Sequence, residues 1–393
     1  MMETESKKQN ILIVHNYYQI PGGEDTVVAN EKKLLEEHGH KVILYSRNNT
    51  ELKQMSRIRK LFLPFTTVFN PKTYRDIKKL IREEKIEIVH VHNTLNLVSP
   101  AVYYAARRMK IPVVQTVHNF RLLCPGATFY RDGHICEDCV EHGLKCAVKH
   151  SCYRGSKIQT LACVLTTIIH RTFGIYKKIN YICLTEFTKA KIESVVDRKR
   201  VYLKPNFVYD QKGLNQAEDY YIFVGRVEEI KGVDILVDAF RRMPDRKLKI
   251  VGQGDLSKHI AERIAKEEIH NVELVGFKPH DEVNALLKHA KALIMCSQWY
   301  ETFGMVIAEA YSNGVPAIVG NIGNIRDLVK ESITGELFVY NEPENLIAAV
   351  ERFEQKPQAE YSRNAYKYYC QNLTDKKNYA MLCAIYKQVK GER

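Results

Sequence analysis

Short, near-continuous apolar runs recur along the chain, each separated from the next by a stretch with helical spacing, and this alternation constrains the fold most. In the first half the runs fall at residues 11–18, 41–46, 86–92 and 113–118. Each reads as a parallel strand buried on both faces, because a strand with one wet face alternates apolar and polar residues. Between the first two runs, Val27, Val28, Leu34 and Leu35 recur at heptad spacing and predict a helix over residues 25–38. After a run at 201–204, Pro205 and Asn206 mark a turn between domains, and the alternation restarts at 221–224, 248–251, 272–275, 292–296, 317–319 and 337–339. Strand, helix, strand in repetition means a doubly wound sheet, so the expectation is an α/β chain with two Rossmann-like domains. A length of 393 residues also exceeds what one hydrophobic core usually serves. The expected limits are 1–205 for the first domain, 206–370 for the second, and 371–393 for a C-terminal helix that packs back on the first.

With 45% apolar and 27% charged residues the chain is neither disordered nor fibrous. Its longest apolar stretch, residues 161–169, falls well short of the roughly 20 residues that span a bilayer. The start carries Glu3, Glu5, Lys7 and Lys8 and a first apolar run too short for a signal peptide, so a cytoplasmic protein is expected. The net charge of +13 is unevenly placed: residues 1–203 carry +14 and the remainder −1. The first half alone is therefore expected to face something large and negative.

Ligands of open parallel sheets bind beyond the carboxyl ends of the strands, so the residues there carry most information. Pro21-Gly22-Gly23 follows the first strand and lets backbone approach a ligand near a helix N-terminus; a plain tight turn accounts for the glycines equally well. It is not a GxGxxG, which argues against a dinucleotide cofactor. In the second domain Gly225-Arg226 and Lys231 follow the first strand, where an Arg and a Lys can clamp a diphosphate. Gly252 and Gly254 end the next strand. The sharpest signal is the segment from Glu301 through Phe303, Gly304 and Met305 to Glu309. It places one carboxylate in a strand-to-helix loop and the second a turn inside the helix, flanking amides that point at an anion. Both carboxylates can accept hydrogen bonds from sugar hydroxyls.

Taken in order, Pro21-Gly22-Gly23, His118 after the fourth strand, Arg226 with Lys231, and the Glu301 to Glu309 pair resemble the family-4 glycosyltransferases, retaining enzymes of the GT-B fold. The resemblance covers nearly the whole chain. It implies two Rossmann-like domains facing each other across a cleft, and transfer from a nucleoside-diphosphate sugar with no catalytic cofactor. It further implies that Arg226 and Lys231 bind the donor diphosphate and that Glu301 with the Phe303, Gly304 and Met305 amides holds the sugar. Glu309 would bind the ribose, the Gly22-Gly23 loop would close on the donor, and His118 would lie beside the reacting sugar.

Cys124, Cys136, Cys139, Cys146 and Cys152 crowd into residues 124–152. In a reducing compartment such a cluster points to metal rather than disulfides, and Cys136-x2-Cys139 has the spacing of a zinc knuckle. Cys124 and Cys152 would complete a structural zinc site, with Cys146 and His150 as alternative fourth ligands; the resemblance to a cysteine-bearing subset of the family implies the set Cys124, Cys136, Cys139 and Cys152. The basic excess bears on the acceptor. Arg57, Arg59 and Lys60 stand among Ile58, Leu61, Phe62 and Leu63, and the apolar stretch at 161–176 is bracketed by Lys157, Arg171, Lys177 and Lys178. Both stretches suit peripheral contact with an anionic leaflet, although core-facing helices with wet edges have the same pattern. The reading is a glycosyltransferase acting on a saccharide or polyprenyl-diphosphate-linked saccharide, as in capsule or exopolysaccharide assembly. The alternatives are a nucleotide-sugar epimerase of the same architecture and a zinc-containing nucleic-acid-binding protein, which leaves the Glu301 to Glu309 arrangement unexplained; no nucleic-acid partner is expected.

Overall fold

The computed structural model describes residues 8–20, 22–211 and 215–391. Two compact units emerge. The first comprises residues up to Phe129, Cys136–Asn206 and Asn378–Arg393; the second comprises Tyr130–Ile135 and Phe207–Lys377. Six residues of the cysteine-rich segment thus group with the second unit, and the second division falls within the last helix, Asp375–Lys390.

The first unit is built on strands β1 (Asn10–Tyr17), β2 (Lys41–Asn48), β3 (Ile88–Val91) and β4 (Val113–Thr116). A small antiparallel hairpin follows, β5 (Tyr130–Arg131) with β6 (His134–Ile135), and then β7 (Asn180–Cys183) and β8 (Val201–Leu203). The six-stranded sheet has the order β2-β1-β3-β4-β7-β8, parallel throughout. Strand β7 escapes the sequence reading because Asn180 and Tyr181 shorten its apolar run to two residues. Ile11, Ile13, Ile88, Val114 and Ile182 of this sheet pack with Val28 and Leu35 of the Gly23–Glu37 helix and with Leu382, Ile385 and Tyr386 of the last helix. The C-terminal residues therefore complete the core of the first unit.

The second unit repeats the plan with β9 (Tyr221–Val224), β10 (Leu248–Val251), β11 (Val272–Gly276), β12 (Leu293–Met295), β13 (Ala317–Gly320) and β14 (Gly335–Phe338). Its order is β11-β10-β9-β12-β13-β14, again all parallel. In each sheet the chain winds one way from its first strand and then crosses to the other side. The reversal lies between β1 and β3 in one unit and between β9 and β12 in the other. At such a point neighbouring strand-end loops diverge and open a crevice.

The helices Arg57–Val68 and Lys157–Thr172 of the first unit pack on each other, capped by Ser56 and Ser156. Their outer faces leave Ile58, Leu61 and Phe65 about 72% exposed, with Ile158, Leu161, Leu165 and Ile168 also open. Among the described residues no helix is long and apolar enough to cross a membrane.

Candidate active site

In the second unit the expected residues gather at the reversal between β9 and β12. Gly225 and Arg226 leave β9, Lys231 ends the short turn Glu229–Lys231, and the loop after β12 carries Glu301 to the helix Met305–Ser312. Glycine is required where these loops touch. Gly252 has φ +136°, and a Cβ there would lie 1.9 Å from the Gly225 carbonyl oxygen. A Cβ on Gly254 would come within 2.3 Å of the Val227 carbonyl oxygen. These two glycines therefore serve backbone packing of the strand ends.

Glu301 is buried, pairs with the Lys231 ammonium and accepts a hydrogen bond from Ser297 Oγ at 2.7 Å. Burial alone would raise its carboxyl, but Lys231 and Ser297 hold it below the ordinary value, so it is a carboxylate at neutral pH. Asn324 Nδ2 fixes the loop by donating to the Glu301 carbonyl. Gly304 then turns the chain at φ 92° and caps the helix from Met305; the Gly304 carbonyl accepts from the Ile307 N–H at 2.9 Å, which leaves the Met305 and Val306 N–H groups without intrahelical partners by position. Phe303 is a core side chain, so only its backbone can face a ligand. Glu309 is half-buried one turn further on; burial raises its carboxyl and His280 opposes the rise. Arg226 reaches solvent and pairs with Glu228 at 2.6 Å, whereas Lys231 pairs with Glu301, so the two cations are held by different carboxylates. The chain's single tryptophan, Trp299, has its ring centroid 5.5 Å from Lys231 Nζ. The sequence reading passes over it, although a lone tryptophan in a strand-end loop is itself a signal.

In the first unit Gly22 and Gly23 begin the Gly23–Glu37 helix, while Pro21 lies outside the described residues. Asp25 accepts from the Gly22 N–H at 3.0 Å and meets His15 Nε2 at 2.7 Å. Glu24 accepts from Tyr18 at 2.9 Å and is pushed up to about 8 by burial. His118 follows β4, is buried, and lines a cavity of about 80 Å³ with His92, Asn93, Asn119 and Arg121. Its Nε2 lies 2.9 Å from His92 Nδ1. Burial, with His92 and His15 adding to it, pushes the His118 imidazole well below its usual range. His92, pushed down to about 4 chiefly by burial and by His90, is likewise neutral. Sequence reasoning missed the group behind it, Glu31, His90, His92 and Lys204. Two histidines two residues apart in a buried strand are the signal that points there.

The buried neutral His92 predicts a pH dependence of stability. Its folded value is depressed below the unfolded one, so the unfolded chain binds the proton first on acidification. Stability is complete above about pH 6.5 and falls toward pH 4, by on the order of 3 kcal/mol from this residue. Denaturant unfolding at pH 7 and pH 5 checks this: His92→Asn should show a shallower pH dependence than the native chain, and an equal one would refute it.

Within the cysteine segment Cys124, Cys146 and Cys152 lie near Cys139. Cys139 is pushed up to about 12, first by burial and then by the neighbouring Cys124, Cys152 and Cys146. A Cβ on Gly126 would sit 3.4 Å from Cys152 Cβ and 3.7 Å from Cys124 Sγ, which places those two side by side. Cys136 stands at the end of the β5–β6 hairpin, its N–H donating to the Phe129 carbonyl at 2.8 Å.

Residues 207–372 match the group 1 glycosyl transferases and residues 21–135 match Glycosyltransferase Family 4. An uncharacterized 42.6 kDa protein in the cps region of Klebsiella pneumoniae is 24% identical over 78% of this chain and 79% of its own length. The Escherichia coli UDP-Gal:alpha-D-GlcNAc-diphosphoundecaprenol alpha-1,3-galactosyltransferase is 25% identical over 75% of this chain and 74% of its own. The crystal structure of a glycosyltransferase from Rickettsia africae superposes with a TM-score of 0.69 at 19% identity, covering 97% of this chain and 98% of that one. With both halves matched in order and both sheets built on the same plan, the chain belongs to the family-4 glycosyltransferases of the GT-B fold.

Proposed function

We propose that this chain is a retaining glycosyltransferase that moves a sugar from a nucleoside-diphosphate sugar to a lipid-linked saccharide at an anionic, cytoplasm-facing leaflet. The observation that carries the reading is the Lys231–Glu301 pair beside the Met305–Ser312 helix N-terminus, at the β9/β12 reversal. Lys231 and Arg226 take the donor diphosphate, displacing their carboxylate partners in part. Glu301 and the amides of Phe303, Gly304 and Met305 hold the sugar, and Glu309 holds the ribose. Gly22, Gly23 and His118 act from the first unit.

For retention, a double displacement needs a free carboxylate nucleophile. At the strand ends of the first unit Asp25 is engaged by His15 and the Gly22 N–H, and Glu24 is held by Tyr18 and largely protonated at neutral pH. We therefore favour same-face displacement. The bond from the anomeric carbon to the diphosphate oxygen breaks, the bond to the acceptor oxygen forms on the same face, and the acceptor proton passes to the departing diphosphate. Lys231 and Arg226 stabilise the charge that develops there.

A lipid-linked acceptor is supported by the relative that acts on a diphosphoundecaprenol saccharide and by the open apolar face of the two packed helices. Arg57, Arg59, Lys60 and Lys157 are exposed on the same helices, with Lys177 and Lys178 just beyond; Arg171 instead donates to the Leu122 carbonyl. Apolar anchors ringed by cations fit an anionic bilayer surface. Flotation with vesicles is expected to show binding that rises with anionic lipid and falls with salt. Arg57, Arg59 and Lys60 changed to Ala should each cost up to about 1 kcal/mol, and Ser at Ile58, Leu61 and Phe65 should abolish binding. Binding indifferent to lipid charge and to all six residues would exclude the membrane-bound acceptor.

The cysteine segment fits a structural zinc. Crowded thiols that raise one another are relieved by a divalent cation, which holds them as thiolates and cross-links the segment. Cys124, Cys139 and Cys152 supply three ligands, with Cys136 or Cys146 the fourth. Protein prepared without chelators should carry about one zinc per chain and Cys139→Ser should lose it; an active, zinc-free native chain would return the cluster to free thiols.

A further inference from the structure

We propose that Glu31 and His92 are positioning residues that lock the tautomer of His118, so that His118 Nδ1 is an obligatory hydrogen-bond acceptor for a substrate hydroxyl. The proposal rests on His118 acting at the reacting sugar. His92 Nε2 is buried and, among the described residues, makes no hydrogen bond; the atom it faces is Glu31 Oε1 at 3.4 Å, which also lies 2.9 Å from His90 Nδ1. Buried polar atoms satisfy one another where they can. Glu31 is a carboxylate: burial would raise it, but Lys204 Nζ at 3.1 Å and His90 hold it well down. A carboxylate only accepts, so the proton between them belongs to His92 Nε2. The opposite tautomer would aim a lone pair at a negative charge.

A neutral imidazole carries one N–H and one lone pair, so His92 Nδ1 is an acceptor. Its neighbour at 2.9 Å, His118 Nε2, must then donate. The two ring planes are within 20° of parallel and their centroids 5.1 Å apart. That leaves His118 Nδ1 with the lone pair, and among the described residues no hydrogen bond takes it. The same logic orients a histidine through a buried carboxylate in hydrolytic triads. Here it runs through a second histidine.

The groups around the relay close it. His90 commits Nδ1 to the Tyr386 hydroxyl and Nε2 to the Thr116 hydroxyl, both at 2.7 Å, and its Nδ1 is 2.9 Å from Glu31 Oε1. Lys204 is held between Glu31 and Asn378 Oδ1, each at 3.1 Å. Glu31, His90 and His92 are close enough together for metal ligands. With Lys204 supplying the positive charge and both His90 nitrogens engaged, the cluster serves as a fixed dipole chain instead.

Nitrogen-15 spectra of histidine-labelled full-length protein read the tautomer directly. The native chain should show His118 protonated at Nε2. Glu31→Gln offers His92 an amide N–H and should shift His118 toward the Nδ1–H form, lowering kcat about 10²-fold with the donor KM within about twofold. Because that variant leaves Lys204 uncompensated, Glu31→Gln combined with Lys204→Met is measured beside it, and the same shift and loss are expected. A native His118 protonated at Nδ1, or loss of turnover in both variants with the tautomer unchanged, would overturn the lock. His118→Ala with normal turnover would instead overturn the reading of His118 on which the lock rests, whatever the spectra show.

Discussion

Lys231→Ala is expected to weaken binding of the nucleoside-diphosphate donor by about 10²-fold, the loss of roughly 3 kcal/mol that a charge-assisted contact supplies in a partly dry site. The same change leaves Glu301 buried with only Ser297 and the surrounding loop for partners, which costs about 3 kcal/mol of fold stability and drives the carboxyl to take up a proton. Two effects are therefore superimposed, and a second variant separates them. Lys231→Met combined with Glu301→Gln removes both charges, so stability should largely return while donor affinity stays low. Trp299 gives the readout, because it is the only tryptophan and its ring lies beside Lys231. Titration of its fluorescence with UDP, GDP and ADP sugars reports occupancy at this site. Native donor affinity in both variants would remove Lys231 from the diphosphate site.

His118→Ala is expected to act on turnover instead. A neutral histidine that contacts the reacting sugar and leaves the diphosphate alone contributes to the transition state, so kcat should fall by about 10²- to 10⁴-fold with donor affinity within about twofold. The structural cost is limited, because the lost ring borders a cavity and His92 Nδ1 can turn to water there. A uniform loss of kcat and donor affinity would point to a collapsed site.

Fold and candidate site were unequally legible in the sequence. Both sheets could be read because strands buried on two faces are continuous apolar runs, and because Gly225, Gly252 and Gly304 punctuate their ends. Strand β7 was not, since four residues that include Asn180 and Tyr181 carry no periodic signal. Glu301 and Lys231 were each visible as strand-end residues, but their pairing joins positions 70 apart and needs the β9/β12 reversal to bring it about. Glu31, His92, His118 and Lys204 come from four different elements, so no spacing could announce the relay. The two amphipathic helices illustrate a different limit. Periodicity shows that Arg57–Val68 and Lys157–Thr172 have an apolar face; only packing shows that they meet each other and leave Ile58, Leu61 and Phe65 open.

The central claim is that the chain transfers a sugar from a nucleoside-diphosphate donor with retained configuration. Its most direct test is to incubate the purified chain with anomerically pure UDP, GDP and ADP sugars labelled at the anomeric carbon, together with vesicles bearing polyprenyl-diphosphate-linked saccharides, and to assign the product's anomeric centre by NMR. The account predicts transfer from one of these donors, dependent on Lys231 and His118, with an α-linked product from an α-linked donor. A product of inverted configuration, or a donor sugar epimerised with no acceptor consumed, would contradict it.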